Sequence, residues 1–299
     1  MMDFTELIDL AGEKLGGAVL YANDEFFAPK ENLLKPKAAI WIEGKYTDLG
    51  KWMDGWETRR RRSPRLDEKF DFCIIRLGLS GIIRGIVVDT SFFRGNFPSH
   101  CSIEVCTFDG QPTVEDLSNA EWTEILPVAE LQGDSHNQFE IDFPHRVTHL
   151  KLKIYPDGGV ARLRVFGEVL PDWTELKKRN SEIDLAAAEN GGTVLAASDM
   201  FFGHRHNLIM PGRAADMSDG WETKRRRGEG YDWCIIKLGT AGMITRVEVD
   251  TLWFKGNYPE SCWIEAGDGN VWQELLPETK LQAHTLHSFS DEIADCGVV

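Results

Sequence analysis

The stretch from Asp71 to Val105, DFCIIRLGLSGIIRGIVVDTSFFRGNFPSHCSIEV, occurs again from Asp232 to Ala266 as DWCIIKLGTAGMITRVEVDTLWFKGNYPESCWIEA. Of the 35 aligned positions, 18 are identical and most others are conservative exchanges. Within the first copy, FCIIRL from Phe72 and IIRGIVVDT from Ile82 are short apolar runs rich in β-branched residues, bounded by Gly and Ser. Such runs predict two strands. Whatever the first copy folds into, the second copy is built to fold into as well.

The likeness extends in both directions. GGAVLYANDEFFAPKENLLKP from Gly16 matches GGTVLAASDMFFGHRHNLIMP from Gly191, and WTEILPVAELQ from Trp122 matches WQELLPETKLQ from Trp272. DGWETRRRR from Asp54 returns as DGWETKRRR from Asp219. Repeats of this size exceed the period of about 20–50 residues found in solenoids, so they predict two copies of one domain. The first spans residues 1–170, a linker spans 171–190, and the second spans 191–299.

In the first copy, LKLKIY from Leu150 and ARLRVFG from Ala161 alternate apolar with basic residues, the period of a half-buried strand. PDGG from Pro156 lies between them and predicts a turn, hence a hairpin. Many short strands with turn clusters and little amphipathic helix predict an all-β chain of two tandem β-sandwiches, jelly rolls ahead of the immunoglobulin-like topology that periodicity does not separate from them. Short helices are expected near the N-terminus, in DFTELIDLAGEKLGG, and in the polar, Ala-containing linker PDWTELKKRNSEIDLAAAEN. After HSFSDE the second copy offers only IADCGVV, with no counterpart of THLKLKIYPDGGVARLRVFG. This predicts a C-terminally incomplete second repeat, less stable than the first, and reduced activity if the site needs that segment.

The chain of 299 residues carries a formal charge of −15. That balance argues against nucleic acid or an anionic membrane as partner, so the arginine runs are local exceptions suited to a small anion. The N-terminus lacks the basic start and apolar core of a secretory signal, and no run reaches the length of a membrane span. The six cysteines form no C-x-x-C pair. Reduced, mostly buried thiols and a cytoplasmic location are the expectation.

KYTDLGKWMDGWETRRRR, VVDTSFFRGNFP, SHNQFE and PDGGVARLRVFG, with DGWETKRRR and VEVDTLWFKGNYPESC in the second copy, resemble the allantoicase family. The resemblance runs in order along nearly the whole chain. It implies two repeated jelly rolls of the galactose-binding-like kind, hydrolysis of allantoate to ureidoglycolate and urea in purine breakdown and nitrogen recovery, and soluble homo-oligomers.

Allantoate carries a carboxylate and two ureido groups on one carbon. Releasing urea calls for a cation to hold the carboxylate, an acid for the departing nitrogen and a base for water. No step obliges a metal or a cofactor. The nonamer offers Asp54, Glu57, Arg59, Arg60 and Arg61 in copy one, and Asp219, Glu222, Arg225 and Arg226 in copy two. Glu57, Glu222 and His136 are the acid–base candidates. Asp54, Arg59, Arg60, Asp89, Asp219, Arg225, Arg226 and Asp250 are the substrate-binding candidates. Each has a plain structural alternative: arginines that tie a loop to the sheet, strand-end aspartates that cap turns, and a loop histidine bonded to backbone. Asn96 and Asn257, after a Gly in each copy, are turn formers first and ureide ligands second. His284 and His287 flank the place aligned with His136, out of register by one. His204 and His206 have ligand-like spacing without a third ligand, so a divalent metal lacks support. A non-catalytic carbohydrate-binding sandwich and an inactive relative remain as alternatives, because a fold does not fix a function.

Overall fold

The computed structural model describes residues 3–60, 70–108, 110–179 and 182–294. It divides into two compact units, Met1–Ser181 and Glu182–Val299.

Unit one is built around a single long strand. β1 (Ile8–Asp9), β2 (Ala18–Ala22), β3 (Tyr46–Thr47), β4 (Gly50–Lys51) and β5 (Trp56–Glu57) lead into β6 (Asp71–Asp89). There follow β7 (His100–Cys106), β8 (Thr123–Glu130), β9 (His136–Glu140), β10 (Val147–Tyr155), β11 (Gly159–Val160) and β12 (Arg162–Val169). The two apolar runs expected as separate strands are thus one strand of 19 residues. Its first half lies between β2 and β10, and β7 and β8 continue that ladder. Its second half lies between β12 and β9, with β1 beyond β12. One strand therefore serves both layers of the sandwich. It changes partners near Gly81, where a Cβ would stand 2.1 Å from the Glu168 carbonyl oxygen. Only glycine permits that approach.

The expected hairpin of LKLKIY and ARLRVFG does not form. β10 and β12 are both strands, but each pairs with its own half of β6 and not with the other. The PDGG turn carries the chain from one layer to the other. Alternation identifies a half-buried strand but carries no information about its neighbour. The inward residues Leu150, Leu152 and Ile154 of β10 and Leu163 and Val165 of β12 are fully buried, against Cys73, Ile75, Ile86 and Val88 of β6.

At the N-terminus the expected helix is two single 3₁₀ turns, Phe4–Glu6 and Glu13–Leu15, flanking β1. Each is too short to hold an α-helical ladder. The linker does start as helix, Trp173–Arg179, and contains a 3₁₀ turn at Ala188–Asn190.

Unit two repeats these strands sparsely. β13 (Thr193–Ala197) pairs with β14 (Cys234–Lys237), β15 (Val247–Asp250) with β18 (Leu286–Phe289), and β16 (Ser261–Gly267) with β17 (Trp272–Lys280). These correspond in order to β2, the two halves of β6, β7, β8 and β9. Among the described residues nothing corresponds to β10 or β12, and the sheets stay two-stranded ladders. The same Cys-Ile-Ile tripeptide shows the difference. At 73–75 all three side chains are buried, whereas at 234–236 all three are partly exposed. Among the described residues no helix is long and apolar enough to cross a membrane.

Candidate functional site

The nonamer reads first as a structural staple. Gly55 passes under β11, where a Cβ would meet the Val160 carbonyl oxygen at 2.5 Å and the Phe93 ring at 2.8 Å. That close passage puts the neighbouring Trp56 fully inside, its indole N–H donating to the Asp24 carbonyl at 2.8 Å. Asn32 Nδ2 donates to the Gly55 carbonyl at 2.8 Å. The second copy repeats the pattern: Trp221 Nε1 donates to the Asp199 carbonyl at 2.8 Å, and Asn207 Nδ2 to the Gly220 carbonyl at 2.9 Å.

The arginines continue the staple. The Arg59 amide donates to Asp24 Oδ1, its Nε lies 3.1 Å from Asp24 Oδ2, and its guanidinium covers the Phe26 ring. The Lys224 amide likewise donates to Asp199 Oδ1, and its ammonium lies over the Phe201 ring. Arg60 reaches Asp157 Oδ1 at 2.9 Å and the Gly95 carbonyl at 3.0 Å. Arg226 pairs with Asp232 at 2.8 Å, and Arg225 is exposed. Arg61 and Arg62 lie outside the described residues.

Asp54 is buried and held by Arg162, whose NH2 nitrogen stands 2.7 Å from Asp54 Oδ2. Burial pushes the Asp54 carboxyl up, but the hydrogen bonds from Arg162 and the Ile40 amide, with the charges of Arg162 and Lys35, bring it below the ordinary value. Arg162 also donates to the carbonyls of Lys37, Asp54 and Ala161. Removing one member of such a pair strands a buried charge, at about 3–5 kcal/mol. Arg162→Met is therefore expected to lower the unfolding free energy of unit one by about that amount in urea titrations. The double variant with Asp54→Asn should recover part of the loss, and a purely additive double variant would contradict the pairing. Asp219, by contrast, accepts from the Ala215 amide at 2.9 Å.

Asp89 and Asp250 cap the turns that follow their strands, accepting from the Ser91 and Leu252 amides, each at 2.8 Å. His136 sits on β9 opposite Asp89, its Nε2 3.6 Å from Asp89 Oδ1, with a largely exposed ring. The register in the second copy places Leu286 opposite Asp250, as His136 is opposite Asp89. His287 corresponds to Asn137. The Gln132 and Gln282 amides donate to Asn137 Oδ1 and His287 Nε2 respectively. Since His287 Nε2 accepts, its Nδ1 carries the proton and donates to the Val249 carbonyl at 3.0 Å. His284 Nδ1 accepts from the Trp253 amide at 2.8 Å, in the place of Asp134 Oδ1 and the Phe92 amide. His206 is buried on Val194, and burial, with the charges of His204 and Arg205, holds its ring down to about 4. Among the described residues no group of three or more His, Cys, Asp or Glu is placed to hold a metal ion.

Of the candidates, Glu57 lines a cavity in unit one. The cavity has a volume of about 540 Å³, within the range of about 300–1,000 Å³ common to small-molecule sites. Phe27, Trp41, Met53 and Phe92 form its apolar walls, and Glu43, Lys51, Glu57, Arg94, Gly95 and Asn96 its polar ones. Glu57 is buried, and Asn96 Nδ2 donates to its Oε1 at 2.8 Å. Burial pushes the Glu57 carboxyl up, and the net shift stays upward despite the Asn96 hydrogen bond and the charge of Arg60. Trp41 and Phe92 stack with centroids 6.1 Å apart, and the Lys51 ammonium lies 4.1 Å from the Trp41 ring centre. Arg94 is held through its Nε by Asp134 Oδ2 at 2.9 Å, and Oδ1 of the same carboxylate accepts from the Phe92 amide. Phe92 and Asp134 both adopt positive φ, at 68° and 52°. Their counterparts Trp253 and His284 do the same, at 71° and 54°, so this backbone conformation belongs to the repeat and not to the cavity.

Lys51, Arg94, Trp41 and Phe92 escaped the reading of the sequence. The available signal was loop length. Seventeen residues separate Pro36 from Asp54, whereas seven separate Pro211 from Asp219. The longer loop contains β3 and β4 and supplies Trp41, Glu43, Lys51 and Met53.

The family model described as Allantoicase, the allantoicase repeat, matches residues 8–170 and again 183–297. A probable allantoicase of Photobacterium profundum is 47% identical over 311 residues, covering 100% of this chain and 92% of that protein. An allantoicase of Dictyostelium discoideum is 45% identical over 303 residues, covering 97% of this chain and 80% of that protein. The crystal structure of allantoicase from Saccharomyces cerevisiae superposes with a TM-score of 0.83 at 38% identity, covering 98% of this chain and 86% of that one. Two matches to the repeat, in the two segments where the sequence copies itself, and near-full-length identity to these relatives place the chain in the allantoicase family.

Proposed function

We propose that the chain hydrolyses allantoate to ureidoglycolate and urea in the cavity lined by Glu57. The observation that carries this reading is a buried carboxyl, raised by its burial, in a pocket that also presents two cations. Arg94 and Lys51 hold the substrate carboxylate, Arg94 through a guanidinium already oriented by Asp134. The planar ureido groups lie against Trp41 and Phe92.

Protonated Glu57 donates its proton to the nitrogen of the departing ureido group as the carbon–nitrogen bond breaks. The lone pair of the remaining ureido nitrogen fills the vacated position, giving an iminium ion and urea. Water then adds to the carbon, and its surplus proton returns to the Glu57 carboxylate. One bond to nitrogen is exchanged for one to oxygen, and Glu57 ends as it began. Asn96, by donating to Oε1, fixes which face of the carboxyl meets the substrate.

These steps call for no metal or cofactor. A cytoplasmic location and a homo-oligomeric state belong to the same proposal, supported by the family resemblance and by thiols such as Cys73 and Cys101 that are buried and unpaired. The direct test is urea release from allantoate by the purified protein, with and without a chelator. Release in both conditions supports the reading, loss with chelator assigns a role to a metal, and no urea in either condition defeats it. Arg94→Ala is expected to raise KM about 10- to 100-fold, the worth of a hydrogen bond to a charged group, with little change in kcat. An unchanged KM would remove Arg94 from carboxylate binding.

A further inference from the structure

The two repeats keep the same acid–amide pair in different surroundings. Asn96 donates to Glu57, and Asn257 donates to Glu222 at 2.5 Å. Glu57 is buried and Asn96 half-buried, whereas Glu222 is partly exposed and Asn257 exposed. The long loop at 37–53 provides the walls around Glu57. The short loop at 212–218 has no residue in the place of Trp41 or Lys51. The indole of Trp253, the counterpart of Phe92, instead donates to the Ala214 carbonyl of that loop at 2.8 Å. Arg94 and its orienting carboxylate Asp134 are replaced by Lys255 and His284, so a guanidinium fork is lost.

From this we infer that only repeat one carries a site for a small ureide bearing a carboxylate, and that repeat two keeps the Glu–Asn pair as a loop clasp. The duplication preserved the clasp because both sandwiches need it to close the nonamer onto the following loop. The ten extra residues between Pro36 and Asp54 turned one clasp into a pocket. A carboxylate becomes a useful acid only where burial raises it, and the long loop supplies that burial. The inference deepens the proposed function and rests on its cavity.

Ureidoacetate, which has one ureido group and a carboxylate and no second ureido group to expel, is a suitable probe. Calorimetric titration of the full chain is expected to give one site. Asn96→Ala should weaken it about tenfold, the lower end for a hydrogen bond to a charged group, and Asn257→Ala should change it less than about twofold. Exchanging residues 37–53 for 212–218 should abolish binding. Should that variant fail to fold, Lys51→Met keeps the loop and should still weaken binding about tenfold. Two sites per chain, no site, or equal losses from the two Asn variants would overturn the inference. One site of the expected pattern without urea release from allantoate would sustain it while defeating the proposed reaction.

Discussion

Glu57→Gln is expected to lower kcat/KM for allantoate by about 10²–10⁴, the usual share of a general acid, without loosening the fold. The glutamine keeps an oxygen that can accept from Asn96 Nδ2, so the clasp survives while the proton donor is lost. The stability effect has a definite sign. Burial raises the Glu57 carboxyl in the folded protein, so the native state holds this proton more tightly than the unfolded chain does. The stability contributed by the bound proton is complete below the unfolded carboxyl range, about pH 4.3, and is lost as pH rises through the higher folded value. By pH 7 that contribution is reduced or gone, whereas the glutamine of the variant does not titrate. The variant is expected to be as stable as the wild type near pH 4 and more stable near pH 7. Activity follows the same proton. The wild-type rate should fall as pH rises through the raised value, and that limb should vanish from the residual activity of the variant. Urea titrations at the two pH values and a pH–rate profile measure both effects. A variant with near wild-type kcat/KM would remove Glu57 from the chemistry, and one destabilised at pH 7 would show that the charge is compensated.

The strands and the duplication were legible because they are local or collinear. Period-two alternation marks β10 and β12 wherever they pair, and the copies from Asp71 and Asp232 align without gaps. Pairing was not legible. The residues that would have marked β6 as a single strand, Gly78, Ser80 and Gly81, read equally well as a break. Only the close approach of Glu168 to Gly81 shows why glycine stands there. That the nonamer's arginines could tie a loop to the sheet was legible, but not to which residues, because the partners Asp24, Asp157 and Arg162 lie 35, 97 and 108 residues away from Arg59, Arg60 and Asp54. Four consecutive arginines suggested anion binding, yet Arg59 and Arg60 are taken up by aspartates of their own domain. The cations lining the cavity are Lys51, from the long loop, and Arg94, at the head of the RGNFP stretch and oriented by a carboxylate from another loop. Burial of Glu57 depends on a loop whose excess length shows only when the two copies are laid side by side.

Limited proteolysis of the 299-residue chain is expected to digest residues 182–294 first and leave a resistant fragment of about residues 1–180. The expectation rests on how each unit covers its apolar strands. In unit one, β10 and β12 place Leu150, Leu152, Ile154, Leu163 and Val165 at 0% exposure against both halves of β6. Each such side chain contributes about 1.5–3 kcal/mol on burial, so the five contribute about 10 kcal/mol. That is comparable to the net stability of a whole domain, about 5–15 kcal/mol. Unit two has no described counterpart of these strands. Its ladders β13·β14, β15·β18 and β16·β17 stay separate, and Trp233, Met243, Trp263 and Trp272 are 40–64% exposed. Its small buried cluster of Leu276, Leu281 and Phe289 ties β17 to β18 but does not reach β13 or β14. Local opening there costs few buried contacts, and proteases cut what opens most often. The candidate site lies wholly in unit one, so the resistant fragment should still bind ureidoacetate as the intact chain does. Equal resistance of the two halves would show that unit two is covered by something other than its own strands, such as a second copy of the chain. Loss of binding on removal of unit two would show that unit one does not hold the site alone.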